Sequence, residues 1–330
     1  MLTIRVPDSD ENFIEFSSEL TQVPEVEAYQ FDFGAVRFAT PAWMLVVGDA
    51  LRLFRDEKPN AKRRAANYKH LGYAAHAGFF QFFGLNFGHV PAAVKSTNRF
   101  IPITTLRTEE IRNAAFDQGR HHGDIIQTDA ERLVEVLLQT DSGDAFETLA
   151  YSLREIARNV IEHSGSDDYS FAAQYWPGAA RAEIAISDHG IGIARSLCSN
   201  PRYSAVDEQA AIDLAVQPGV SSKIGRKRRA DDVWANSGYG LYMVKGLCAR
   251  GGSFSIISGS KAATWQEDAV RVTDAHGVGT TVIMRMDGIG DQALSDRLAD
   301  LRKDAAKFRH QAAAAEPSTA SMSLKVRSPE

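Results

Sequence analysis

An alternating apolar stretch that ends in an aspartate and two glycines places the strongest constraint on how this chain folds. Residues 182–186 read Ala-Glu-Ile-Ala-Ile, an alternating run that predicts a β-strand. Asp188, Gly190 and Gly192 follow at alternate positions. A carboxylate at a strand end can accept a hydrogen bond from an exocyclic amine, and glycines allow a positive φ and close backbone approach. The stretch is typical of a turn, and it also suits the binding of a flat polar ligand.

A second stretch, upstream of the first, has the period of a helix. Apolar residues recur from Phe146 to Val160, which predicts an amphipathic helix over about 145–163. Glu155 and Asn159 are four positions apart, so they lie on the same face of this helix. A carboxylate can act as a general base, and an amide oxygen is a hard ligand suited to Mg²⁺. A solvated polar helix face is the alternative interpretation.

A third stretch, downstream, combines glycines with the start of a helix. Ser237-Gly238-Tyr239-Gly240-Leu241 precedes the apolar residues 242–247. Such a turn presents backbone N–H groups and the positive end of a helix dipole, which favours phosphate binding. A helix cap beside a tight turn is the alternative. The sequence contains neither the P-loop pattern G-x-x-x-x-G-K-[ST] nor the dinucleotide pattern G-x-G-x-x-G.

Taken together and in this order, these stretches resemble the motifs of the GHKL ATPase superfamily. That superfamily includes the ATPase domains of gyrase, of a heat-shock chaperone, of sensor histidine kinases and of the MutL mismatch-repair proteins. Residues 155–159 resemble its N box, 188–192 its first glycine box, 238–241 its second, and 279–283 its closing glycine-threonine strand. The resemblance covers roughly residues 146–286. Its details are closer to bacterial anti-sigma serine kinases and related stand-alone ATPases than to typical sensor kinases.

The resemblance implies a role for each matched residue, with ATP and Mg²⁺ as the cofactors. Glu155 would be the general base for the attacking water, or for a protein hydroxyl in a kinase. Asn159 would hold Mg²⁺ between the phosphates, and Asp188 would accept a hydrogen bond from the adenine amino group. The other expected nucleotide contacts are Gly190, Gly192, Lys223, Gly238, Gly240, Leu241 and Thr280.

Between the two glycine boxes, residues 216–236 lose apolar periodicity and carry the basic run 226–229. The resemblance implies a mobile ATP lid here, with Lys223 as the preferred phosphate contact and the basic run as countercharge to a triphosphate. A solvated basic loop is the alternative. Two positions depart from the superfamily pattern, because Asn236 replaces a glycine and Glu162 replaces a basic residue near the end of the N box.

The first hundred residues predict a different unit, with alternating strands and helices. Residues 29–33 and 35–38 indicate a strand pair or one bent strand, and residues 43–54 indicate a buried helix. The order resembles a STAS domain, the anti-sigma-factor-antagonist fold, in which a phosphorylatable serine lies where a strand turns into a helix. Thr40 occupies that place before Pro41, and capping of the helix is the favoured interpretation.

The expected fold class is α/β: an α+β two-layer sandwich of the GHKL type preceded by a small α/β STAS-like domain. The predicted segments are the STAS-like domain over 1–100, a helical connector over 101–140, the ATPase domain over 141–290, a C-terminal helix over 291–311 and a disordered tail over 312–330. The apolar stripe of the C-terminal helix suits packing on the ATPase domain or pairing across a homodimer.

Composition, apolar patterning and net charge indicate where such a chain is located and which partners it favours. It has 330 residues, 44% hydrophobic and 24% charged, as in ordinary soluble proteins. Two cysteines without metal-ligand spacing predict reduced thiols, and no signal peptide or apolar run of about 18 residues occurs, so a cytoplasmic protein without membrane insertion is expected. The net charge of −5 makes nucleic acid an unfavoured partner.

The expected function is that of a regulatory ATPase whose nucleotide state gates an interaction with a protein partner. A serine/threonine kinase of the anti-sigma type is one alternative, with Glu155 activating a hydroxyl on the partner. A nucleotide-binding scaffold without turnover is another.

Overall fold

The computed structural model describes residues 1–91, 93–119, 122–204, 206–221, 238–288 and 291–309. The predicted phosphate contact Lys223, the basic run 226–229, most of the predicted lid and the predicted disordered tail lie outside these residues. No helix of the described residues is long and apolar enough to cross a membrane.

The described residues form both strands and helices. The strands are β1 (Leu2–Arg5), β2 (Ala28–Asp32), β3 (Lys62–Ala66), β4 (Phe100–Arg107), β5 (Asp168–Trp176), β6 (Arg181–Asp188), β7 (Gly252–Ser258), β8 (Lys261–Gln266), β9 (Ala269–Asp274) and β10 (Thr280–Asp287). The helices are α1 (Phe16–Thr21), α2 (Pro41–Glu57), α3 (Gly72–His76), α4 (Phe79–Phe82), α5 (Thr108–Asp117), α6 (His122–Ile125), α7 (Gln127–Leu138), α8 (Asp144–Asn159), α9 (Gly192–Cys198), α10 (Glu208–Ala215), α11 (Gly240–Ala249) and α12 (Asp291–Arg309). A π-helical turn, Val160–Ser164, continues α8.

Among the described residues, seven strands form one sheet in the order β4-β5-β6-β10-β7-β8-β9, and every neighbouring pair is antiparallel. Strands β6 and β10, which are neighbours in the interior of the sheet, pair Asp188 with Thr280 at one end. Since a second sheet of β1, β2 and β3 is parallel, the structure is mixed, and its antiparallel main sheet places it in the α+β class.

One face of the large sheet is covered by α7, α8 and α11. Their apolar residues form a single core with inward side chains of the sheet, including Ile184, Ile186 and Met284. The predicted amphipathic helix is therefore confirmed as α8, which buries Leu149 and Leu153 in this core.

The opposite face of the sheet is covered by the N-terminal unit. Helix α2 packs across β5 and β6, and Ala172, Ala185 and Ile283 share a core with it. A buried carboxylate, Glu183 of β6, accepts a hydrogen bond from the backbone N–H of Ala42 in the first turn of α2 at 2.8 Å. The sheet is thus the middle of three layers, because both of its faces are apolar.

Within the N-terminal unit, the predicted helix is confirmed as α2, and the predicted strand pair or bent strand is confirmed only in its first part, as β2, and wrong over residues 35–38. Thr40 caps α2 by accepting a hydrogen bond from the N–H of Trp43 at 3.2 Å. Only β2 forms from the predicted pair, because the chain turns after it: the N–H of Gly34 donates to Asp32, and the N–H of Val36 donates to the carbonyl of Phe33.

The predicted helical connector is wrong over its first residues, where β4 pairs with β5 as an edge strand. Helices begin only at Thr108. A register shift between Ile101 and Thr104 sends Ile101 into the core under the helices and Ile103 into the core under the N-terminal unit. This bulge breaks the alternation of buried side chains by which a strand is recognised from sequence.

The C-terminal helix was expected either to pack on the rest of the chain or to pair across a homodimer. The structure shows that it packs within the chain. Leu294, Leu298 and Leu301 of α12 are buried, and Leu301 lies against Gly246 of α11. A Cβ at Gly246 would come within 2.2 Å of the Leu301 side chain, so the close contact of the two helices depends on this glycine.

Candidate functional site

A cavity of about 140 Å³ lies where β6 ends and β10 begins, between α8, α9 and α11. Its walls include apolar side chains such as Ile156, Ile193, Leu197 and Val282. Such walls can pack against a flat aromatic ring, while a few polar groups fix its orientation. The predicted site residues that line the cavity are Glu155, Asn159, Asp188, Gly192, Gly238, Gly240, Leu241 and Thr280.

Helix α8 carries the two predicted polar residues of the N box along one side of the cavity. Glu155 is only 2% exposed, and Tyr151, one turn earlier, donates its hydroxyl to Oε1 of Glu155 at 2.9 Å. Asn159 is the last residue of α8 before the π-helical turn. Both residues line the cavity, and the Glu155 carboxylate lies beside Gly240 at the glycine-rich start of α11.

Asp188 lies at the end of β6 and is 5% exposed. Its Oδ1 accepts a hydrogen bond from the N–H of Gly190 at 2.8 Å. Burial raises the pKa of Asp188 to about 6, although the backbone N–H groups of Gly190 and Thr280 favour the charged form. A desolvated carboxylate of this kind gains when a ligand brings a hydrogen-bond donor to it.

The first glycine box is shaped by close backbone contacts. Gly192 has a φ of 74°, and a Cβ there would lie 2.9 Å from Oγ of Ser258. Gly190 supports the loop by packing on Ser164, since a Cβ would lie 2.3 Å from that residue's carbonyl oxygen. Gly279, with a φ of 83°, passes so near to Asp188 that a Cβ would lie 2.0 Å from its carbonyl oxygen. Larger residues at these positions would displace the loop that carries the aspartate.

The second glycine box brings the start of α11 against α8. A Cβ at Gly240 would lie 3.1 Å from Oε2 of Glu155, so the glycine leaves room beside the carboxylate. Gly238 has a φ of 68°, and its carbonyl accepts a hydrogen bond from the N–H of Gly219 at 3.0 Å. The first N–H groups of α11 thus lie at the cavity, where a helix N-terminus can bind an anion.

Three stretches that are distant in sequence therefore meet at one cavity, and their roles in binding remain predictions. Within the described part of the chain, no group of three or more histidine, cysteine, aspartate and glutamate side chains is arranged to hold a metal ion. Mg²⁺ in nucleotide sites is commonly held by one or two protein oxygens together with phosphate oxygens. The amide oxygen of Asn159 fits that pattern.

Sequence reasoning missed two kinds of residue at this site. Tyr151 could have been found, because it is four residues before Glu155 and shares its helix face. Asp49 of α2, which bonds both neighbours of Asp188, has no local signal, because it comes from the other side of the sheet.

A scan against protein-family models finds no match, and no curated protein matches the sequence.

Proposed function

We propose that the cavity binds ATP together with Mg²⁺, and that the chain is a regulatory ATPase of the GHKL type. Nucleotide binding and turnover would gate an interaction with a protein partner. The observation that carries the proposal is the meeting of Glu155, Asn159 and Asp188 at one cavity. A general base, a hard oxygen ligand and an acceptor for an amine are the three polar groups that this chemistry needs.

Each group has a place that suits its proposed task. Asp188 accepts a hydrogen bond from the adenine amino group, and the apolar side chains that also line the cavity pack on the ring. The N-terminus of α11 and Asn159 face the phosphates, and Mg²⁺, when bound, neutralises phosphate charge. Glu155, held by Tyr151, orients and deprotonates the attacking hydroxyl.

The buried state of Glu155 favours this role. A carboxylate that is 2% exposed and accepts a hydrogen bond from the Tyr151 hydroxyl has few competing water contacts. Its position beside Gly240 leaves Oε2 facing the start of α11, where the terminal phosphate is expected. The same geometry serves transfer to water or to a hydroxyl of a protein partner.

The test measures binding and turnover separately. Calorimetry with ADP and with a non-hydrolysable ATP analogue, both with Mg²⁺, should show binding to the wild-type protein. Glu155→Gln should bind with similar affinity and lose phosphate release. Glu147→Gln is the matched control, because Glu147 is an exposed residue of the same helix. A wild-type protein that binds no adenine nucleotide would refute the proposal.

Incubation with γ-labelled ATP and a candidate partner protein then distinguishes the two outcomes of turnover. Free labelled phosphate indicates an ATPase. Label that appears on a protein hydroxyl, and is lost with Glu155→Gln, indicates a kinase. Binding with neither product in the wild-type protein indicates a scaffold and refutes the catalytic role of Glu155.

A further inference from the structure

The two chain neighbours of Asp188 are bonded to one carboxylate of the N-terminal unit. Successive side chains of a strand point to opposite faces, so Ser187 and His189 face α2 while Asp188 faces the cavity. Ser187 donates its hydroxyl to Oδ2 of Asp49 at 2.6 Å. Nε2 of His189 lies 2.9 Å from Oδ1 of the same residue. Asp49 therefore contacts the residues on both sides of Asp188, from the face of the sheet opposite the cavity.

The contacts extend to the strands on both sides of β6. Oγ of Ser187 lies 2.8 Å from Oγ1 of Thr281, which follows the cavity residue Thr280 on β10. Nδ1 of His189 lies 3.5 Å from Oδ1 of Asp168, the first residue of β5. Through Ser187 and His189, the Asp49 side chain of α2 is thus connected to the ends of three adjacent strands, β5, β6 and β10.

Electrostatics strengthen this connection. Burial disfavours a charged imidazole at His189, but the hydrogen bonds to Asp168 and Asp49 outweigh burial and raise the pKa of His189 to about 10. At neutral pH the ring is therefore an imidazolium, which donates from Nε2 to Asp49 and forms an ion pair with Asp168 on its Nδ1 side. The side chains of Asp49 and His189 are only 17% and 28% exposed, so water screens their attraction weakly. Arg52, at 3.6 Å from Asp49, adds a second cation.

We infer that Asp49 is a positioning residue for the cavity: by holding Ser187 and His189 it sets the orientation in which Asp188 meets an adenine base. The affinity for adenine then depends on how the N-terminal unit is docked, which gives that unit a direct influence on nucleotide binding. Asp49 has this role only if the cavity binds an adenine base, as proposed above.

The test compares ADP with inosine diphosphate, which carries a carbonyl oxygen in place of the adenine amino group. Asp49→Asn keeps the shape of the side chain and removes its charge. ADP affinity should fall about fivefold or more, the lower end of usual coupling between two sites. The preference for ADP over inosine diphosphate should fall as well, because the base contact is the one disturbed. General destabilisation would weaken both nucleotides by the same factor.

Asp56→Asn is the matched control. Asp56 is also on α2 and lines the same gap between α2 and the sheet, but its ion pair is with Arg55. This variant should keep both affinities. Ser187→Ala removes one of the two bonds to Asp49 with little change in volume, so it should shift the preference in the same direction by less, even if Asp49→Asn does not fold.

The outcomes separate the two proposals. If the wild-type protein binds no ADP, the proposed function is refuted and the role of Asp49 with it. If the wild-type protein binds ADP, and both Asp49→Asn and Ser187→Ala keep its affinity and its preference over inosine diphosphate, the positioning role alone is overturned. Equal weakening of both nucleotides also overturns it.

Discussion

The ionised form of Asp188 is expected to favour adenine binding and to lower the stability of the folded protein. Burial raises its pKa from 3.8 to about 6. The difference of about two pKa units corresponds to about 3 kcal/mol. The free energy of unfolding is lower by this amount when the carboxylate is ionised. The folded protein binds the proton more tightly than the unfolded chain, so stability falls as pH rises from about 4 to 6 and the full cost is present above pH 6.

Asp188→Asn removes that cost and disturbs the base contact. The amide oxygen can still accept from the N–H of Gly190, which lies 2.8 Å from the carboxylate. The amide nitrogen would face the adenine amino group, so two donors would meet. Such a mismatch costs about 1–3 kcal/mol, which corresponds to about 5- to 150-fold weaker ADP binding. The variant should therefore be more stable than the wild-type protein at pH 7.5, by up to about 3 kcal/mol, and bind ADP worse.

Calorimetry with ADP and urea denaturation at pH 4 and pH 7.5 measure the two effects. The gain in the free energy of unfolding should be present at pH 7.5 and nearly absent at pH 4. Asp268→Asn, in the exposed turn between β8 and β9, is the control and should change neither quantity. Unchanged ADP affinity in Asp188→Asn would refute the base contact, and a loss of stability at pH 7.5 would refute the argument from burial.

Three further predictions follow from the same geometry. ADP affinity should fall about tenfold for each pH unit below about 6, as Asp188 becomes protonated; calorimetry between pH 5 and 7.5 tests this, and a flat profile contradicts it. Gly279→Ala should lower the free energy of unfolding by about 1–3 kcal/mol from backbone strain alone, because its φ is 83°, whereas Gly178→Ala, at an open position, should change it little in urea denaturation. Leu298→Ala should cost about 2–5 kcal/mol in the same assay, since this α12 side chain is 1% exposed, and an unaltered unfolding curve would show that α12 does not pack as described.

The sequence predicted the elements in which residue spacing and local chemistry agree. Helix α8 follows from its apolar period, and α2 follows from an apolar run that begins with Thr40 and Pro41, a capping residue and a proline at the first turn. Strand β6 follows from its alternation. Strand β4 was missed because a bulge inserts one residue, so its isoleucines are buried on opposite faces of the sheet.

Eight of the residues that line the cavity were also predicted, some from their spacing, and Leu241 and Thr280 only from the resemblance to the GHKL motifs. Glu155 and Asn159 share a helix face by their separation of four, and the glycines mark places where the backbone approaches another segment closely. These are short-range properties, and a single stretch of sequence is enough to state them.

What the sequence by itself determined is thus the local conformation of each stretch and the kind of chemistry it can offer. Only the tertiary structure decided which stretches meet. Pairing of β6 with β10 brings Asp188 beside Thr280, and the apolar rear face of the same sheet brings Asp49 to Ser187 and His189. Contacts of this kind join residues more than 90 positions apart, as in the pair Asp188 and Thr280. They depend on how buried faces fit together, and no local pattern records that fit.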